Sequence, residues 1–200
     1  MASSTKSSLR LSYNAPVVLT FAFACVVIQL ISTLTGGAID RVFMVGRALV
    51  SWNLLTWFRL FLHALGHSDW GHLFNNMMLF LILGPMIEEK YGSLDTLIVI
   101  LATALVTGLI YVIFFPAICI HGASGVVFAF IILASITGFR ERTIPLTFIL
   151  VAALYIGQQI WQTVSQENHV AELSHIAGGG VGGVLGFVLN RRAENGRSVR

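Results

Sequence analysis

Charged side chains are scarce in this chain of 200 residues, where they make up 10% of the sequence against 56% hydrophobic residues. A soluble globular domain carries roughly 25% charged residues, so the composition excludes an ordinary soluble fold and predicts a one-domain integral membrane protein. Cysteine is rare as well. Cys25 and Cys119 both lie in apolar surroundings, and two such residues favour neither a structural disulfide nor a cysteine-ligated metal ion.

The sequence contains six long apolar runs. They cover residues 16–35, 71–87, 94–115, 124–138, 144–163 and 170–189. A spanning helix needs about 17–25 residues, so the second run is at the lower limit and the fourth run is below it. A short helix is tolerated at membrane depth where its end lines a watery cavity. We therefore predict an all-α polytopic membrane protein with six transmembrane helices.

The basic residues predict how these helices are oriented. If the N-terminus is cytoplasmic, the outer side of the membrane carries only Arg41, Arg47 and Arg59. The cytoplasmic side then carries Lys6, Arg10, Lys90, Arg140, Arg142, Arg191, Arg192, Arg197 and Arg200. The positive-inside rule therefore places both termini in the cytoplasm. Because these residues lie at the chain ends and in short loops, the net charge of +3 does not indicate a nucleic-acid partner.

The two ends of the chain are polar. We expect residues 1–12 to form a disordered cytoplasmic tail, residues 13–191 the membrane domain, and residues 192–200 a disordered, basic cytoplasmic tail. The apolar run after Arg10 is longer than the usual signal-peptide core of about 7–15 residues. It therefore predicts an uncleaved membrane anchor.

Four polar side chains lie near the starts of three apolar runs that all begin on the outer side of the membrane. His72 and Asn76 lie early in the second run, and Ser124 begins the fourth. His175 lies about 7 Å into the sixth run, at a rise of about 1.5 Å per residue. Polar groups at membrane depth are costly and usually functional. A serine, a histidine and hydrogen-bond donors are the components of an acyl-transfer site.

These residues also have a purely structural interpretation, which the local sequence leaves open. Ser124, two residues after Gly122, has the position of a helix N-cap. His175 is followed by Gly178 and Gly182, and small residues at this spacing let membrane helices pack closely around a buried histidine. A metal site is an alternative, because three histidines lie close together in the sequence, at His63, His67 and His72. No carboxylate or cysteine completes a ligand set, so we predict no metal ion and no cofactor.

In this order on the predicted helices, the motifs together resemble those of the rhomboid family of intramembrane serine proteases. The similarity extends from about Trp57 to Gly183. It includes an HxxxN motif at residues 72–76, a GxSG motif at residues 122–125 and an HxxGxxxG motif at residues 175–182. The resemblance implies a rhomboid-like bundle with a short central fourth helix and a long, partly embedded loop between helices 1 and 2. Four aromatic residues suit the interfacial part of that loop: Trp52, Trp57, Phe58 and Trp70.

The resemblance also implies a Ser–His dyad without an acidic third member. Ser124 would be the nucleophile, and His175 the general base and then the general acid. The backbone N–H of Ser124 and the side chains of His72 and Asn76 would form the oxyanion hole. Glu172, one turn before His175, is the alternative candidate for an acidic third residue. The residues expected to support the site are Gly122, Gly125, Phe128, Gly178 and Gly182.

Three departures from the family pattern affect the loops and the rate more than the reacting groups. Phe128 stands where the family often has tyrosine, and Ser174 where it often has alanine. The Trp-Arg pair of the first loop is interrupted as Trp57-Phe58-Arg59.

The expected function is that of an intramembrane serine endopeptidase whose partners are transmembrane protein substrates and the lipid bilayer. Substrates would be single-span proteins with helix-weakening residues near the outer end, and they would enter between helices 2 and 5, past Phe80 and Trp161. A six-helix core without a transit peptide leads us to expect a prokaryotic plasma membrane, with the active site open to the extracytoplasmic side. The oligomeric state is left open. The alternatives are a catalytically inactive binder of transmembrane segments and a small transporter with a histidine proton path.

Overall fold

The computed structural model describes residues 12–46, 54–115, 117–140 and 170–197, together with eight helical positions between residues 146 and 161. The described residues form helices joined by turns, and the expected all-helical class is confirmed. The helices are α1 (Pro16–Leu34), α2 (Leu54–Leu62), α3 (Trp70–Tyr91), α4 (Ser93–Phe114), α5 (Ser124–Arg140) and α6 (Val170–Arg197). Between α1 and α3, the described residues also form two 3₁₀ helices, Asp40–Phe43 and His63–Leu65.

Among these described helices, α1, α3 and α4 are each long and apolar enough to cross a membrane. Shorter apolar stretches are Leu54–Leu65, Ser124–Ser135 and His175–Leu189. Large apolar side chains remain exposed on several helices, including Leu34, Phe74 and Leu94. An apolar surface of this extent requires a bilayer around it. The expected fifth helix, residues 144–163, lies for the most part outside the described residues.

Glu88 explains why α3 continues beyond the apolar run that was expected to end at residue 87. Its side chain is buried, with one carboxylate oxygen accepting the Val17 N–H at 3.0 Å and the other accepting the Val18 N–H at 3.0 Å. Ser93 donates a third hydrogen bond at 2.6 Å. The N–H groups at a helix start lack intrahelical partners, and the helix dipole favours a carboxylate there. Glu88 therefore caps α1 from α3.

The core lies where α1, α3 and α5 meet. Phe80 is fully buried, and its ring lies 5.0 Å from the Phe21 ring and 5.1 Å from the Phe130 ring, measured between centroids. The expectation that Phe80 lines a route for substrate is therefore wrong. Phe80 lies one turn after Asn76 on the buried face of α3, whereas Met78 is exposed on another face. Trp161, the other residue of the expected route, is exposed at a described helical position.

The C-terminal end of the described chain is helical rather than disordered. Helix α6 continues to Arg197, six residues beyond the expected end of the membrane domain at residue 191. Arg191, Arg192, Ala193 and Glu194 are favourable helix residues and extend α6 past its apolar part. The expected disorder of residues 192–197 is therefore wrong. Residues 1–11 and 198–200 lie outside the described part of the chain.

Candidate active site

The segment before Ser124 is held by the connection between α1 and α3. Ile120 and Val45 exchange two backbone hydrogen bonds of 2.8 and 2.9 Å. The Gly122 N–H donates to the His63 carbonyl oxygen at 2.9 Å. The His63 ring is buried and bonds to the Ala104 carbonyl of α4 through Nε2 at 3.0 Å. The first loop therefore fixes the GxSG segment, and α4 fixes the first loop.

Ser124 is the first residue of α5 and is half-buried. The Ala123 carbonyl accepts the Val127 N–H at 2.9 Å, so the helical hydrogen-bond ladder begins one residue before the serine. The N–H groups of the first turn have no intrahelical acceptors. Together with the helix dipole, they favour a negative charge next to the Ser124 side chain.

The side chains of His72 and Asn76 face Gly122. A Cβ added to Gly122 would lie 2.8 Å from His72 Cε1, 3.0 Å from His72 Nε2 and 3.9 Å from Asn76 Nδ2. The backbone of Gly122 has a φ of +129°, which L side chains rarely adopt. Glycine is therefore required at this position by backbone conformation and by space. The structure brings both expected oxyanion-hole side chains to the loop that carries Ser124.

His175 is buried on α6, and its ring stacks on the ring of Phe128. The ring centroids are 4.2 Å apart and the ring planes differ by 11°. Phe128 lies one turn after Ser124 on α5, so the stack holds the imidazole beside the helix that begins with the serine. The buried His175 Nε2 makes no hydrogen bond within the described residues. The Ser124–Nε2 hydrogen bond of the expected dyad is thus not formed in this structure, and catalytic hydrogen bonds are often long before substrate binds.

Helices α5 and α6 approach each other closely through glycine. A Cβ on Gly178 would lie 2.8 Å from the carbonyl carbon and 2.9 Å from the Cα of Gly125. A Cβ on Gly182 would lie 2.7 Å from the Ala129 Cα. All three distances are shorter than real Cβ atoms show in protein structures. The small residues therefore let the two backbones touch on the face that holds His175, as the spacing suggested.

Burial and hydrogen bonding set the charge states in the loop beside the site. Burial, reinforced by the nearby His72 ring, lowers the pKa of His67 to about 3. Burial also lowers the pKa of His121. Asp69 caps α3 by accepting the His72 N–H at 2.9 Å, and this bond, with one from Ser68, holds the pKa of the Asp69 carboxyl below its usual range. Two neutral histidines, His67 and His121, and the ionised Asp69 therefore lie near the N-terminal end of α3.

The sequence patterns do not single out Ser68, Asp69 or Glu88. A signal existed for Asp69, because an aspartate before an apolar helical run is a typical N-cap. No comparable signal existed for Glu88, since the backbone N–H groups that it accepts lie about 70 residues away in α1. The alternative acidic residue, Glu172, lies in α6, but its side chain lies outside the described part of the structure.

The fold and these contacts define a class of protein: an all-helical integral membrane protein that holds a serine, at a helix start, near two histidines and an asparagine. The comparison with protein families agrees with that class. The Rhomboid domain model matches residues 55–192, more than half of the chain. The chain therefore belongs to the rhomboid family. A search of curated proteins gave no match.

Proposed function

We propose that this protein is an intramembrane serine endopeptidase that hydrolyses peptide bonds in or near transmembrane segments. The observation that supports it most is the joint arrangement at one helix start. Ser124 begins α5, Phe128 one turn later stacks on His175, and His72 and Asn76 face the glycine two residues before the serine. A nucleophile, a base and oxyanion donors are thus supplied by three helices.

The reaction follows from these positions. Ser124 Oγ attacks the carbonyl carbon of the scissile bond, and its proton passes to His175 Nε2, which has no other hydrogen bond within the described residues. The oxyanion accepts hydrogen bonds from the Ser124 N–H and from the side chains of His72 and Asn76. The intermediate collapses, the C–N bond breaks, and His175 gives its proton to the leaving amine. Water then attacks the acyl-enzyme by the same steps, which releases the acid and restores Ser124.

The membrane setting limits the substrates. A transmembrane helix hides its carbonyl groups in intrahelical hydrogen bonds, so a cleavable segment must unwind locally before Ser124 can attack. Glycine or proline near the cleavage site lowers that cost by roughly 1–3 kcal/mol per residue. We therefore assign as substrates single-span proteins with helix-weakening residues near the extracytoplasmic surface of the membrane.

The stacked phenyl ring positions the base in this scheme. An aromatic pair contributes about 0.5–1.5 kcal/mol beyond its buried area, and the Phe128–His175 stack is nearly parallel. Replacing the ring by a methyl group would leave the imidazole free to rotate away from Ser124. Phe128→Ala is expected to lower kcat by roughly twofold to tenfold, whereas Phe128→Tyr keeps the stack and is expected to keep most of kcat.

Both termini are assigned to the cytoplasm, with the membrane domain over residues 13–191 and the site open to the extracytoplasmic side of a prokaryotic plasma membrane. This orientation follows from the nine-to-three distribution of basic residues. Single cysteines placed in the two tails should react with an impermeant thiol reagent only from the cytoplasmic side of oriented vesicles.

Cleavage of a model transmembrane substrate by the purified protein tests the activity. Wild type should cleave, while Ser124→Ala and His175→Ala should each lower the rate to background. A fluorophosphonate probe should label wild type and leave Ser124→Ala unlabelled. Cleavage that survives Ser124→Ala would show that another nucleophile, or a contaminant, does the chemistry.

One observation favours a second function, the binding of transmembrane segments without cleavage: Ser124 and His175 Nε2 share no hydrogen bond in this structure. A non-catalytic binder should capture a labelled transmembrane helix, resist the fluorophosphonate, and bind equally well as Ser124→Ala. Labelling of Ser124 by the probe would contradict this alternative.

A further inference from the structure

A short hydrogen-bonded chain joins the His72 ring to a carboxylate outside the helix. Ser68 Oγ lies 2.8 Å from Asp69 Oδ2 and 3.1 Å from His72 Nδ1. The other carboxylate oxygen, Asp69 Oδ1, accepts the His72 backbone N–H at 2.9 Å. Ser68 and Asp69 are both exposed, while the opposite edge of the His72 ring faces Gly122.

The donors and acceptors in this series of hydrogen bonds can be assigned by counting hydrogens. An ionised carboxylate only accepts, and a serine hydroxyl has a single hydrogen to donate. Ser68 therefore donates to Asp69, and the contact between Ser68 Oγ and His72 Nδ1 needs its hydrogen from the ring. In a neutral imidazole, a proton on Nδ1 leaves Nε2 with a lone pair. Nε2 is the nitrogen that faces Gly122, and a lone pair there would repel an oxyanion at Ser124.

We propose that Ser68 and Asp69 are positioning residues that set the tautomer of His72 and so control whether it can donate to the oxyanion. In the resting arrangement, Asp69 accepts the hydrogen bond from Ser68, which keeps the imidazole proton of His72 on Nδ1. When the Ser68 hydroxyl rotates to donate to Nδ1, the ring gives its Nδ1 proton to water and takes one from water at Nε2. The net charge of the ring is unchanged, and Nε2 becomes a donor. This inference rests on the proposed function of the same site.

Asp69→Asn is the informative variant. Asparagine is as good an N-cap as aspartate, so its amide oxygen can still accept the His72 N–H. Its NH₂ group would then face Ser68 Oγ and donate to it, which leaves the Ser68 hydrogen for His72 Nδ1. The variant should hold the ring proton on Nε2. Because one hydrogen bond shifts an equilibrium by about fivefold, kcat is expected to rise by about that factor with KM unchanged.

The same change should have no effect where the chain of hydrogen bonds is broken. Asp69→Asn should leave kcat unchanged in a Ser68→Ala background and in a His72→Ala background. Ser68→Thr keeps the hydroxyl and should preserve the response to Asp69→Asn. Ser135→Ala is the matched control for serine removal, because within the described residues the Ser135 hydroxyl bonds to the Ile131 carbonyl of its own helix, at 2.8 Å. Thermal unfolding of each variant checks that the fold is kept.

Nitrogen-15 NMR of the His72 ring provides a readout that does not require activity, with His72→Gln used to assign the signals. Wild type should show the proton on Nδ1, and Asp69→Asn should show it on Nε2. A wild-type proton on Nε2, or a spectrum that Asp69→Asn does not change, would overturn the assignment. A changed spectrum with unchanged kcat would show that His72 does not donate to the oxyanion. Failure of the proposed function would appear separately, as a wild type without Ser124-dependent cleavage.

Discussion

Replacing Gly178 by alanine is the sharpest test of how this fold positions the site. The added Cβ would lie 2.8 Å from the carbonyl carbon of Gly125 and 2.9 Å from its Cα. Both are backbone atoms that cannot move without moving α5. Carbon atoms in contact prefer separations of about 3.5–4.0 Å, so the two helices must separate by roughly 1 Å. Gly178 lies one turn from His175 and Gly125 is next to Ser124, so this displacement falls directly between base and nucleophile.

The expected result is a large loss of activity. A misplacement of 1 Å between reacting groups costs about 100-fold in rate, and kcat/KM of Gly178→Ala should fall by about that factor. Replacing a helical glycine by alanine would, by itself, stabilise the helix by up to about 1 kcal/mol. The loss of activity therefore cannot be attributed to a weaker helix.

Two other glycines of α6 serve as matched controls. A Cβ on Gly180 would meet no described residue within 4 Å, so Gly180→Ala should keep wild-type activity and unfold at the same or a higher temperature. A Cβ on Gly182 would lie 2.7 Å from the Ala129 Cα, but one turn further from the site. Gly182→Ala should therefore lower the unfolding temperature like Gly178→Ala and lose less activity.

The assay is cleavage of one model substrate by the three variants in the same detergent, with thermal unfolding measured in parallel. Activity of Gly178→Ala within about threefold of Gly180→Ala, with an unchanged unfolding temperature, would refute the reasoning. It would mean that contact between α5 and α6 at Gly178 does not fix the distance from Ser124 to His175.

Three further predictions concern the surroundings of the site. Gly122→Ala should abolish cleavage, because its Cβ would lie 2.8 Å from the His72 ring and its φ is +129°; substrate cleavage at wild-type rate would contradict this. Glu88→Gln should lower the free energy of unfolding by about 1–3 kcal/mol, because the amide places an NH₂ group against the backbone donors of α1. In the same denaturation measurement, Glu89→Gln should have no effect, since Glu89 is exposed. The pKa of His67 is lowered from 6.5 to about 3, so between these pH values the unfolded chain binds a proton that the folded chain does not. The free energy of unfolding should therefore fall as the pH drops below 6.5 towards 3, by at most about 1.4 kcal/mol per pH unit. Thermal unfolding from pH 7.5 to 5 measures this slope, which should be shallower in His67→Gln.

The sequence predicts the helices well because hydropathy alone determines which segments a bilayer accepts. Helices α1 and α4 begin and end within one residue of the expected bounds of their runs, and α5 begins at the expected serine. The grouping of Ser124, His72 and Asn76 was predictable as well, because residues at the starts of parallel helices lie at the same depth. What hydropathy lacks is the direction of each side chain around its helix. Phe80 illustrates this, since an apolar residue in a membrane helix is compatible with lipid and with the core alike.

Two of the contacts that the sequence did not predict share one physical origin, a carboxylate at a helix start. Asp69 caps α3 from the preceding residue, and Glu88, near the other end of α3, caps α1. In a hydropathy pattern both residues only mark where an apolar run stops. In the folded chain they hold α3 at its two ends, because a carboxylate and the unsatisfied N–H groups of a helix start attract each other. The attraction is stronger at the buried Glu88, where water is excluded, than at the exposed Asp69. The depth and rotation of His72 and Asn76 against the Ser124 loop are thus set by two charges that lie outside the apolar run itself.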